Sequence, residues 1–112
     1  MSWHMGSPSE WGSLRRVAIK HARDAFVDRA TIDGQWRSLN FTAPPDFTRA
    51  VDESDAFIAL LEGAGATVER LPPAAGTTLD SIYTRDASIV SPHGVILCTM
   101  GKAARRGEPA AP

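Results

Sequence analysis

The sequence predicts an α/β fold with a mixed sheet and a helix packed on it. Three observations point there: an apolar run at Leu14 to Lys20, apolar residues at helical spacing after Phe47, and two β-rich runs flanking Ser91-Pro92-His93-Gly94. With 112 residues, 43% of them hydrophobic, and no repeat or charge block, the chain suffices for one compact domain and not for two.

Residues 1–10 are expected to be flexible. Leu14 to Lys20 follows Gly12 and Ser13 and contains β-branched positions, which predicts a first strand with Trp11 at its entry. From His21 to Phe41, charges, glycine and isolated aromatics alternate without a steady period, so this segment reads as a long connection of the kind that covers a site. Beyond Pro44-Pro45, Asp46 is placed as a helix N-cap. Phe47, Ala50, Val51, Ser54, Ile58 and Leu61 then recur three and four apart, which predicts a helix from Phe47 to Glu62 whose apolar stripe faces the core. Gly63 and Gly65 stop it, and Ala66 to Leu71 alternates as a second strand before Pro72-Pro73. Ala87 to Ser91 and Gly94 to Thr99 form a β-hairpin. The final Gly107-Glu108-Pro109-Ala110-Ala111-Pro112 resembles the start of another helix, so the chain is expected to be a fragment whose hairpin lacks a covering element.

Composition narrows the function. Twelve basic against 13 acidic side chains leave a net charge of −1, which offers no electrostatic footprint for nucleic acid or an anionic membrane. No stretch approaches the roughly 18 apolar residues of a membrane span, and the start lacks the apolar core of a signal peptide, so a cytoplasmic protein is expected. Cys98 is the single cysteine, which rules out an intramolecular disulfide, and no Cys/His spacing suits structural zinc; no metal or cofactor is indicated.

The segment from Leu79 to Glu108 carries the chemistry. A carboxylate beside a strand can hold a guanidinium through two parallel charge-assisted hydrogen bonds, and Asp86 is the candidate. Asp80, six residues earlier, is placed to meet a second cationic end of the same ligand, and Arg105 to clamp a carboxylate. Together they describe an amino acid with a guanidino side chain.

Three patches resemble the guanidino-group modifying superfamily of dimethylarginine dimethylaminohydrolases, arginine deiminases and amidinotransferases. They are Ser9 to Val17, Asp80 to Asp86, and Met100-Gly101-Lys102 followed by Ala104-Arg105-Arg106-Gly107-Glu108. The resemblance implies a partial pentein-type α/β propeller built from ββαβ units, of which residues 1–112 would be an N-terminal part. It also implies that Asp86 binds the substrate guanidinium, that Asp80 lies near the α-amino group, that Arg105 holds the α-carboxylate and that Tyr83 lines the pocket. In that chemistry a cysteine thiolate attacks the guanidinium carbon, a histidine protonates the leaving amine, and water or another amine releases a thiouronium intermediate. The family's histidine and cysteine belong to later repeats, so no catalytic residue is assigned in this chain. Arg85 stands before Asp86 where dimethylarginine hydrolases commonly carry an acid, which resembles the deiminase and transferase branches; the approach to Asp86 and the Arg105 loop look more like the hydrolase branch. A hydrolase giving citrulline is favoured over an amidinotransferase.

The remaining polar candidates read as structural. Cys98 sits in an apolar strand without the glycine-histidine setting of the nucleophile and is expected to be a buried thiol. His93, in a tight turn, is expected to be exposed, His21 carries no catalytic pattern, and Arg106 is a solvated neighbour. Trp3, Trp11 and Trp36 are too widely spaced for an aromatic cage. A small guanidino amino acid is the expected partner, with self-association through exposed strand edges; the competing class is a noncatalytic ligand-binding or interaction module.

Overall fold

A computed structural model of the chain describes residues 12–109. The expected places of Trp3, Trp11 and the first of the three patches up to Trp11 lie outside these residues, as do Ala110 to Pro112.

The first strand, β1 (Arg16–Ile19), pairs in parallel with β2 (Thr67–Arg70), Arg16 opposite Thr67 and Ile19 opposite Arg70. Between them run α1 (Ala22–Phe26), α2 (Arg29–Gln35) and α3 (Phe47–Gly63). A parallel pair needs a crossover of a dozen or more residues, and these helices supply it. The two C-terminal strands, β3 (Ser88–Ser91) and β4 (Gly94–Leu97), form an antiparallel hairpin around Pro92-His93 with Ile89 opposite Ile96.

α3 begins where the sequence places it. The Asp46 carboxylate accepts from the Arg49 backbone N–H at 2.9 Å, satisfying one of the orphan donors of the first turn. It ends in a Schellman arrangement: the Ala66 N–H donates to the Leu61 carbonyl and the Gly65 N–H to that of Glu62, with Gly65 at φ +96°. The left-handed backbone there is open to glycine without the Cβ clash that other residues meet.

Two features depart from the sequence reading. The segment His21 to Phe41 is not an irregular connection, because α1 and α2 occupy much of it. Both helices are too short to display a sustained period, and each depends on its cap. Asp28 accepts from the Thr31 N–H at 2.7 Å, and the ring of His21 accepts at Nδ1 from the Arg23 N–H at 2.9 Å. The second departure is the sheet, which among the described residues is two separate two-stranded pairs, one parallel and one antiparallel. Pro72-Pro73 and two single 3-10 turns, Leu79–Ile82 and Thr84–Asp86, separate β2 from β3 and divert the chain before the strands can pair.

The core belongs to the helices. Ala22, Ala25, Phe26, Ile32, Leu39 and Leu79 form one buried cluster, with Trp36, Phe41, Phe47, Ala50 and Ile82 packed on it. From the α3 stripe, Phe47 and Ala50 pack on this cluster, Val51 is buried, and Ser54, Ile58 and Leu61 are partly buried, while Phe57 and Leu60, off the stripe, face solvent. Trp36 thus packs as an individual core residue, under the Arg37 guanidinium at 4.9 Å. Cys98 is half-buried rather than enclosed, since its strand end leaves the hairpin toward the next loop. No helix among the described residues is long and apolar enough to cross a membrane.

Candidate functional site

The turns Leu79–Ile82 and Thr84–Asp86, the loop after β4 and the end of the 21–41 segment enclose a solvent-open cleft of about 540 Å³. Asp80, Tyr83, Asp86 and Arg105 all line it, so the structure brings together the four residues singled out from the sequence. Leu39, Asn40 and Phe41, at the end of the 21–41 segment, also line it.

Arg105 is the organising group. It ends the 3-10 turn Ala103–Arg105, and a single further turn brings Glu108 beneath it. Nε and one terminal nitrogen donate to the two Glu108 oxygens at 2.9 Å each, a bidentate fork matched in geometry. The same terminal nitrogen donates to the Tyr83 carbonyl at 3.2 Å, and the other reaches Asp86 Oδ2 at 2.9 Å. Tyr83 completes the cradle, its ring 5.8 Å from the guanidinium carbon. The Glu108 fork, more than the Asp86 contact, drives the Arg105 pKa well above its ordinary value, against the opposing effect of burial.

Asp86 differs in exposure from its partner. Its side chain is 52% exposed against 10% for Arg105 and 5% for Glu108. Asp86 Oδ2 is engaged by Arg105, and among the described residues Oδ1 accepts no hydrogen bond.

Asp80 occupies a different setting from the one its sequence position suggests. It is buried, and its Oδ2 lies 2.7 Å from the ammonium of Lys102, which also donates to the Leu39 carbonyl at 2.8 Å. Lys102 supplies the counter-charge that Asp80 needs there, because a buried carboxylate without a cation would carry a large desolvation cost. Lys102 also lines the cleft, and the sequence reading gave it no role beyond its place in the Met100-Gly101-Lys102 patch.

Lys20, buried at the end of β1, donates to the Pro72 carbonyl. Burial lowers its pKa, opposed first by the Asp24 charge and then by that of Glu108. Arg106 is exposed, as its sequence position suggests, and so is His93. His21 is fully buried and caps α1 while its Nε2 lies 2.7 Å from Asp55. None of the three lines the cleft, and neither does Cys98. Among the described residues no cluster of three or more His, Cys, Asp or Glu is placed to hold a metal ion. A smaller cavity of about 280 Å³ between Asp24, Val27, Gln35 and the 73–78 loop gathers none of the predicted residues.

The arrangement is suited to holding a cation. It supplies hydrogen-bond acceptors on an exposed carboxylate, an aromatic wall and two fixed cations, and among the described residues no cysteine, serine or histidine lines it. Comparison with family models, with curated proteins and with solved structures gives no match for this chain.

Proposed function

We propose that this chain is the substrate-binding part of a hydrolase acting on the guanidino group of arginine or a methylated arginine. The observation that carries the reading is the convergence of Asp80, Tyr83, Asp86 and Arg105 on one cleft, with an open carboxylate oxygen on Asp86. A guanidinium seated on Asp86 would donate to the open Oδ1 and share Oδ2 with Arg105, which would help orient its central carbon for attack. The reaction itself, with a cysteine thiolate forming a thiouronium intermediate and a histidine protonating the leaving amine, would take its nucleophile and acid from outside this cleft. The partial pentein-type propeller and the amidinotransferase alternative rest on the same sequence resemblance.

Isothermal titration of the chain with arginine and with dimethylated arginine, alongside detection of citrulline, tests the reading. Binding without turnover is expected. Loss of no affinity in Asp86→Ala, where about 1 to 3 kcal/mol is expected, would remove Asp86 from the site.

One observation favours a second reading, a noncatalytic interaction module. The β3–β4 hairpin exposes Ile89, Val90, Ile96 and Leu97, which lie on both of its faces. Such a surface invites edge pairing or self-association. Sedimentation velocity across a concentration series separates the two: a chain that stays monomeric while binding arginine supports the first reading alone.

A further inference from the structure

The cavity of about 280 Å³ between α1, α2 and the 73–78 loop shares no lining residue with the cleft. The two helices turn against one another at Val27, whose φ of +67° and ψ of −65° make a γ-turn closed by the Asp28 N–H, which donates to the Phe26 carbonyl at 2.8 Å. Such a backbone is strained for a β-branched residue, and Val27 is 53% exposed, so burial of its side chain does not offset the cost. The turn instead sets placement: Asp24 of α1 and Thr31 and Gln35 of α2 come to line one cavity. Strain of this kind concentrates where a chain holds a ligand.

Three polar groups of that lining lack the partners they need. The Asp24 side chain is 22% exposed and lies 3.6 Å from Arg70, beyond hydrogen-bonding distance, and among the described residues neither of its oxygens accepts a hydrogen bond. Gln35 is oriented by its Oε1, which accepts from the Leu79 N–H at 3.0 Å, and its Nε2 is left without an acceptor among the described residues. The Thr78 hydroxyl is enclosed and has no partner there either.

Charge then selects the ligand. Asp24 is the one ionic group lining the cavity among the described residues, which disfavours an anion. Its charge already faces Arg70 and acts on the ammonium of Lys20, so a third cation gains little. What Asp24 lacks is donors. A hydroxyl group supplies one to Asp24 and accepts in turn from Gln35 Nε2, while Ala25, Pro73 and Ala74 offer contact to carbon.

We infer that this cavity is a second binding site, for a small uncharged polyol held between Asp24 and Gln35 with its carbon chain against Ala25 and Pro73. The site is independent of the guanidino reading, since none of its residues belongs to the cleft.

The experiment is a proton–nitrogen NMR titration of the chain with erythritol, and with butylammonium and butyrate as a cation and an anion of the same carbon number. Erythritol is expected to give saturating shifts at the Thr31, Gln35 and Thr78 amides with a dissociation constant of about 1 to 10 mM, in keeping with its size. Both ions are expected to bind at least about tenfold more weakly. Gln35→Glu keeps the acceptor for Leu79 and removes the free donor, and is expected to weaken erythritol about tenfold. Thr78→Val loses no hydrogen bond within the described residues, so it is expected to fold with an unchanged urea midpoint while also weakening erythritol. Shifts that stay linear in erythritol, or that spread over the whole surface, would show that the cavity takes water alone and overturn the inference. Either ion matching erythritol, or full affinity in both variants, would overturn it as well.

Discussion

Arg105 and Glu108 face one another across a single turn, joined by two hydrogen bonds of 2.9 Å between side chains that are almost completely enclosed. The pair holds the guanidinium in the plane from which it also reaches Asp86, so the position of an exposed carboxylate is set by a buried one. Removing Glu108 leaves the buried Arg105 charge with only the half-exposed Asp86 against it.

Glu108→Gln is therefore expected to destabilise the chain by about 3 kcal/mol, since breaking one side of a buried pair costs more than the pair contributes. Urea unfolding monitored by circular dichroism measures it. A change below about 0.5 kcal/mol, the range of an ordinary surface substitution, would show that solvent reaches the pair.

The Lys102–Asp80 contact makes a second prediction through its coupling. Lys102→Met strands a buried carboxylate and is expected to cost about 2 kcal/mol, and Asp80→Asn a comparable amount. Combined, the two changes should cost clearly less than their sum, because the double variant leaves no buried charge unpaired. A double-mutant cycle in urea reads the coupling, and strict additivity would contradict the contact.

Gly107 packs against the carbonyl of Gly76, where an added Cβ would lie 2.8 Å from the oxygen. Both partners are backbone, so neither can swing aside. Gly107→Ala is expected to separate the 73–78 loop from the Arg105 turn and to cost about 1 to 3 kcal/mol. A lowered Tm together with a weakened affinity for arginine would follow, since Arg105 lies two residues away.

Acid should weaken the fold through two aspartates. The Asp55 carboxyl is held below its ordinary value chiefly by the hydrogen bond with His21, and Asp28 chiefly by the Thr31 backbone N–H at the α2 cap. A group with a depressed folded pKa binds its proton more readily in the unfolded chain. Its contribution is therefore fully present above the unfolded value of about 3.9, and is lost as pH falls through the lower folded value. Stability from urea midpoints should fall as pH drops below about 4, and the fall should be shallower in Asp55→Asn and in Asp28→Asn.

Local signals of fold were legible where a feature is complete within a few residues. Asp46, the spacing after Phe47 and Gly65 specify α3 because cap, stripe and stop are all contiguous. The hairpin is equally local, its turn at Pro92-His93 closing adjacent strands. The helices α1 and α2 escaped because five and seven residues span too few turns to show a period. Their signals lay in Asp28 followed by Thr31, and in Ala22, Ala25 and Phe26 at one face. His21 as a cap was not readable, since an imidazole is an uncommon N-cap and its use depends on burial.

By itself the sequence determined which residues would meet in the cleft, because Asp80, Tyr83, Asp86 and Arg105 flank a hairpin that folds their segments back together. Only the tertiary structure decided what each charge faces. Asp80 lies enclosed with Lys102, Arg105 lies on Glu108, and Asp86 keeps an open oxygen, a division set by burial and by the geometry of the forks. Charge and spacing along a chain state which groups can pair. Desolvation, which depends on what the rest of the fold places over them, selects the pairs that form.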